Sequence, residues 1–346
     1  MNHRVNRLLI VGNADPVHLG AHLLNAARSL GLEASFADTN AAFEASAWRR
    51  RFNWWLRGHR PSALGSFGEQ VVQTVRDEGI DCVLSTGLAP LDVEALRALG
   101  RHGVRRLNFL TDDPWNVEHR APWFSRALRE YDHVFTPRKA NIGDLVSVGG
   151  PSVSYLPFAF APEIHYPELP SDGDERRRFE ADLVFAGGAD LDRVRAVSPF
   201  IDAGFDVALY GGYWDRHKET RAHARGFLSG DELRKAISGA AVSLCLVRRA
   251  NRDAHAMRTF EVAAMGGCML VEDTPDHRDL FGDDDEAVVY FTTPLEAVER
   301  LRALLHDAPR RARLALRVRE RITRGSHTYA DRLQHMVTPL SEAEVA

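Results

Sequence analysis

The sequence is poor in the residues that staple small exported folds together: three cysteines, Cys82, Cys245 and Cys268, stand in 346 residues. They lie far apart, each inside an apolar run, which excludes a disulfide framework or a cysteine metal site and makes them reduced core residues. No apolar run reaches the roughly 18 residues needed to cross a bilayer. The opening MNHRVNRLLIVGNAD turns polar too soon for a signal peptide, so the expected location is cytoplasmic. A basic excess is missing too: the net charge is −4, which excludes a general nucleic-acid binder. Neither a Gly-x-Gly-x-x-Gly after a first strand nor a Walker signature is present, which argues against a dehydrogenase or a P-loop enzyme. What is there is a globular composition, 45% hydrophobic and 27% charged, long enough for two domains.

Short β-branched runs alternate with longer amphipathic stretches. RLLIV (7–11), LEASFA (32–37), DCVLST (81–86), RLNFLT (106–111) and HVFTP (133–137) predict strands, with helical periodicity between them at 18–30 and 66–78. The pattern restarts with ADLVFAG (181–187), DVALYG (206–211), AVSLCLV (241–247), CMLVED (268–273) and AVVYFT (287–292). This alternation predicts an α/β protein of two Rossmann-like, doubly wound domains facing each other across a cleft. The stretch 156–180, rich in proline and charge, reads as a linker, which divides the chain into 1–160 and 161–346.

Open α/β sheets bind ligands beyond the carboxyl ends of their strands, so the polar loops there carry the candidates. Asp15 and His18 follow the first strand, Asp112 the fourth, and Gly187, Gly188 and Arg193 the first strand of the second half. The stretch HAMRTFEVAAMGG predicts a helix from about His255 to Met265 that buries Met257, Phe260 and Ala264 and ends at Gly266-Gly267. His255, Arg258 and Glu261 share its other side. The amino end of such a helix suits a phosphate. Arg258 adds a bidentate contact to phosphate oxygens, and Glu261 accepts hydrogen bonds from a pair of ribose hydroxyls. The plainer reading is a surface Arg258–Glu261 ion pair worth a few tenths of a kcal/mol. The small apolar run that follows argues against it.

RTFEVAAMGGCMLVEDTPDHRDLF, EAVVYFTTPLEAVERLRALLHD, RERITRGSHTYADRL and, in the first half, FLTDDP with VFTPRKANIGDLVSVGGPSVSYLPFAFAPEIH together resemble the group 1 glycosyltransferase superfamily. That superfamily has the two-Rossmann-domain GT-B architecture, and the chain resembles its spore-maturation-type members over about residues 80–335. The resemblance implies metal-independent, retaining transfer of a hexose-like sugar from a nucleotide-diphosphate sugar, with no further cofactor. The acceptor is unidentified: a glycan, a lipid-linked molecule or a protein, in envelope polysaccharide synthesis. Glu261 matches the second of two glutamates eight positions apart, the one that holds the ribose. The first is replaced by Asp253, a shorter carboxylate near the donor sugar. Arg193 and Arg258 fit the cations that neutralise the diphosphate, although the lysine that often accompanies them is missing. The acceptor belongs on the first domain, where Asp15, His18 and Asp112 are candidate bases, and the last helix packs back on that domain.

GDDDE (282–286) contains an Asp-x-Asp but lies in a turn and reads as a solvated loop, so no metal site is expected. WRRRFNWWLRGHR (48–60) interleaves tryptophans with basic side chains and suits an anionic membrane surface or a lipid-linked acceptor, a peripheral contact at the inner face of the membrane. A packed helix or an oligomer contact would use the same residues. Two rivals remain: a nucleotide-sugar epimerase of the same architecture, and a non-catalytic two-domain binding protein.

Overall fold

The computed structural model describes residues 5–46, 48, 51–53 and 58–338. The chain forms two compact units: Met1–Pro157 with Ala250–Arg252 and Tyr329–Ala346, and Phe158–Arg249 with Asp253–Thr328.

The first unit holds β1 (Arg7–Gly12), β2 (Glu33–Asp38), β3 (Cys82–Thr86), β4 (Arg105–Phe109), β5 (His133–Thr136) and β6 (Ser152–Tyr155), all parallel, in the order β2-β1-β3-β4-β5-β6. Leu8 to Val11 are completely buried, because a strand apolar on both faces needs helices above and below it. β6 escaped the sequence reading. It is a half-buried edge strand whose SVSY alternates small polar with apolar side chains. Helix Tyr329–Val337 packs on helix Leu19–Ser29, with the Tyr329 and His22 rings stacked 5.2 Å apart. Arg332 Nε donates to the Pro157 carbonyl (2.8 Å) and Arg105 to that of Val337 (3.1 Å), so the last helix is anchored at both ends.

The second unit holds β7 (Ala181–Ala186), β8 (Val207–Tyr210), β9 (Ala240–Cys245), β10 (Met269–Glu272) and β11 (Val289–Phe291), parallel, in the order β11-β10-β9-β7-β8. Alternate residues of β7 enter different cores, Val184 and Ala186 one, Leu183 and Phe185 the other, which is double winding in residue terms.

The linker expectation is corrected. Phe158, Phe160 and Phe179 are buried in the core of the second unit, and Gly173–Phe179 is a helix whose amino end is capped by the Asp172 carboxylate. Averaged composition hid the apolar FAFA anchor at 158–161. Asp284 accepts from the Tyr290 N–H (2.9 Å) and pairs with Arg300, Asp285 pairs with Arg310 and Arg313, and Glu286 pairs with Arg321. The 282–286 segment is thus an ion-paired turn. Of the Trp/Arg-rich stretch, Arg49, Arg50 and 54–57 lie outside the described residues; Trp48 is 72% exposed. No helix among the described residues is long and apolar enough to cross a membrane.

Candidate functional site

Both sheets reverse their winding at one place, between β1 and β3 in the first unit and between β7 and β9 in the second. Such switch points open a crevice at the strand carboxyl ends.

At the second, the turn after β7 is locked to the loop after β8. Gly187 N–H donates to the Tyr210 carbonyl, Ala189 N–H to that of Gly212, and the Trp214 indole N–H to that of Gly187, each at 2.8 Å. A Cβ on Gly211 (φ +124°) would stand 2.5 Å from the Gly187 oxygen, so only glycine allows this approach. Asp190 caps helix Leu191–Asp202 by accepting the Arg193 N–H (2.9 Å), and the Arg193 side chain folds back to donate to the Gly188 carbonyl (2.9 Å). Burial pulls the Arg193 guanidinium below its usual pKa, and Asp190 works against that shift; Arg248, Asp253 and Arg258 are also close enough to act on it. Arg248 and Arg193 approach the same Asp190 oxygen, at 3.6 and 3.7 Å.

The helix at the centre of the sequence argument runs Met257–Ala264, with Ala256 at its cap. Thr259 accepts the Ala256 N–H (3.2 Å) through its hydroxyl. That hydroxyl meets His277 Nε2 at 3.1 Å, while His277 Nδ1 donates to the Glu272 carbonyl at 2.7 Å. A carbonyl can only accept, so Nε2 receives the Thr259 proton. Burial pushes the ring down to about 4, which keeps it neutral. The left-handed Gly266 (φ +73°) ends the helix.

His255 is a correction to the expected helix face. It precedes the helix and is 1% exposed. Its Nε2 accepts the Phe158 N–H (3.3 Å), so Nδ1 carries the proton shared with Asp276 (3.0 Å). The Phe158 and Phe260 rings and the Asp276 carboxylate hold the imidazole as a brace, where the sequence pattern suggested a ligand. The helix is also buried nearly all round, Thr259 through Met265, so its two-sided reading does not hold.

Arg258 and Glu261 are together. Arg258 Nε donates to the carbonyl of Ala186, the last residue of β7 (3.2 Å), and its Nη1 pairs with Glu261. The Arg258 side chain is 31% exposed and that of Glu261 2%. His165 Nε2 stands 3.7 Å from the other Glu261 oxygen, and burial lowers the His165 pKa while Glu261 opposes the shift. Glu261 is thus an enclosed acceptor that aims Arg258 at the end of β7. Arg248 and Glu272 were missed by the sequence reading. Glu272 accepts the Val247 N–H (3.1 Å) and pairs with Arg249 (2.8 Å), tying the loop after β9 to β10. The only available signal was the basic loop RRANRD.

At the first unit's switch point, a cavity of about 240 Å³ is lined by His18, Asp112, Asn13, Thr39, Thr86 and Thr111. His18 and Asp112 come together there. Asp15 does not line it: its carboxylate accepts the Val17 N–H (3.1 Å) and shapes the turn into the helix. Asp113, next to Asp112 in the chain, is a buried anchor, accepting from Arg252 (2.7 Å), Asn141 (2.9 Å) and the Trp115 N–H (2.9 Å).

These features define a two-domain protein with the GT-B fold. Residues 193–338 match a glycosyl transferase-like family. No curated protein matches the chain by sequence. Among solved structures it is similar to sucrose-phosphate synthase from Thermosynechococcus elongatus, with 13% identity, 96% of this chain and 97% of that chain covered, and a TM-score of 0.67. Anabaena HepE in complex with UDP and glucose gives 13%, 96% and 98%, and 0.65. A Listeria monocytogenes protein assigned as a UDP-N-acetylglucosamine 2-epimerase gives 14%, 96% and 95%, and 0.59. At these identities the likeness speaks for the fold.

Proposed function

We propose that the protein is a glycosyltransferase that moves a sugar from a nucleotide-diphosphate sugar to a hydroxyl acceptor without a metal ion. The observation that carries this reading is the convergence of Arg193, Arg248 and Arg258 on the β7/β9 switch point beside the Met257 helix. Cations gathered at this point stabilise the charge that a departing nucleoside diphosphate gains. The matching family and the UDP-bound structural relative support the same substrate class.

In this reading the bond between the anomeric carbon and the diphosphate oxygen breaks, and the electron pair leaves on the nucleoside diphosphate held by the arginines. Arg258 turns its head group toward the diphosphate and uncovers Glu261, which accepts from the ribose hydroxyls. Asp253 faces the donor sugar and supports retention. The acceptor occupies the first unit's cavity, where His18 or Asp112 takes the hydroxyl proton as the acceptor oxygen bonds to the anomeric carbon. We assign the chain to the spore-maturation-type branch acting in envelope polysaccharide synthesis, with the 48–60 stretch as its contact to an anionic membrane or a lipid-linked acceptor; exposed Trp48 supports that contact. The epimerase-like relative keeps a second reading in play. Purified protein given labelled nucleotide sugars, with and without glycan and lipid acceptors plus a chelator, decides between them. Acceptor-dependent transfer that survives chelation is expected, whereas a 2-epimer formed in water without acceptor would establish the other reading.

A further inference from the structure

Within the second unit, Tyr213 and Phe227 are 55% and 79% exposed, and both stand on the loop that follows β8. Exposed large aromatics on a mobile loop would mean little, but this loop is clamped. Gly211 N–H donates to the Gly226 carbonyl (2.7 Å), Arg225 N–H to that of Leu209 (2.8 Å), and the Thr220 hydroxyl to that of Trp214 (2.9 Å). Trp214 beneath them is completely buried. The Phe227 ring closes over Gly212, where a Cβ would touch it at 3.4 Å. Gly212 in turn accepts from Ala189, next to the Gly188 carbonyl that holds Arg193. Both aromatics therefore stand at Gly212, whose turn is hydrogen-bonded to the turn that holds Arg193.

Tyr213 also has a left-handed backbone (φ 73°), which is uncommon and unfavourable for a bulky side chain. Its ring is not buried in the core, so packing does not repay this. It lies under the Arg216 guanidinium at 4.2 Å, which stiffens it as a flat surface.

We propose that Tyr213 and Phe227 form the stacking platform for the nucleobase of the donor and make the choice among bases. This rests on the nucleotide-sugar reading above. A flat apolar surface beside fixed cations matches a nucleoside diphosphate, whose planar base lies one ribose away from its charged end. Stacking on an aromatic face contributes in proportion to base area and requires no movement of the clamped loop.

The test is calorimetric titration with UDP, GDP, ADP and inorganic pyrophosphate of the wild type, Phe227→Leu and Tyr213→Gly. Glycine adopts the left-handed conformation freely, so Tyr213→Gly removes the ring while keeping the fold. Each variant is expected to lose roughly 5- to 100-fold in affinity for the preferred nucleoside diphosphate. Pyrophosphate, which has no base, should bind as to the wild type, and preference among the three bases should narrow. Unchanged nucleotide affinity in both variants overturns the platform while leaving the transferase reading intact. Equal losses for pyrophosphate and nucleotides overturn it as well, since the ring would then act through the arginine site. A wild type that binds none of the four ligands removes the nucleotide reading and the platform with it.

Discussion

The two units wind their sheets in the same way around one switch point each, yet they put opposite chemistry there. The crevice at β7/β9 gathers Arg193, Arg248 and Arg258 over loops cross-linked by glycine, tryptophan and Glu272. The cavity at β1/β3 mixes hydroxyls, an amide, His18 and Asp112 with apolar Leu19, Phe43, Leu88 and Pro90, and has no lysine or arginine among its lining residues. The scaffold thus offers a place, and the loop residues decide whether it suits an anion or a neutral polyol. In the proposed reading the cationic crevice takes the charged donor, and the mixed cavity with its carboxylate and imidazole takes an acceptor that must lose a proton.

The largest effect should come from breaking the neutral side. If His18 or Asp112 accepts the acceptor proton, His18→Ala or Asp112→Asn lowers turnover by roughly 10²- to 10⁴-fold. Nucleotide affinity stays within about twofold, because the donor arginines are untouched. Steady-state kinetics paired with a binding titration measures both, and a parallel fall in affinity would mean the cavity is not an acceptor site.

Next comes Arg258→Ala, which removes charge-assisted hydrogen bonds and should weaken nucleoside-diphosphate binding by roughly 10- to 150-fold. Arg193→Ala should cost less in direct contact, since part of its guanidinium is spent on the Gly188 carbonyl. A larger loss for Arg193 than for Arg258 would invert the assignment.

Acidification should act on both units alike and so sharpen what is specific to each. Burial holds His277 in the second unit and His133 in the first down to about 4, against an ordinary value of 6.5. The unfolded chain therefore takes up these protons first. The stabilisation is complete above about pH 6.5 and is lost as pH falls toward 4, by on the order of 3 kcal/mol for His277 and by less for the better solvated His133. Urea unfolding at pH 7 and pH 4.5, read by hydrogen exchange in each unit, checks this; equal stability at both values would refute it. The smallest effect belongs to Asp284→Asn, an exposed pair to Arg300, which should change stability by less than about 1 kcal/mol.

Much of this was readable from the sequence, for reasons that differ by residue. The strands stood out because a doubly covered parallel sheet forces apolar runs such as RLLIV and AVSLCLV. Arg258 and Glu261 stood out as a charged pair ahead of the apolar run VAAMGG, and the structure brings them together as a largely enclosed ion pair. His255 misled because its spacing matched a helix face, while its partners Phe158 and Asp276 lie about 100 and 20 residues away in the chain. Spacing cannot report such long-range hydrogen bonds. The same limit hid Glu272, whose role appears only once β9 and β10 are side by side. Asp15 was promoted for its loop position, which it uses to shape a turn.

The most direct test is thermal unfolding of the wild type, Arg258→Ala, Glu261→Ala and Asp112→Asn against a panel of nucleoside diphosphates and nucleotide sugars, since a ligand that binds only the folded state raises its apparent stability. A shift from one nucleotide that persists in Asp112→Asn and disappears in the other two variants is the predicted result. No shift from any nucleotide, or one lost only in Asp112→Asn, would contradict the assignment of the donor to the second unit.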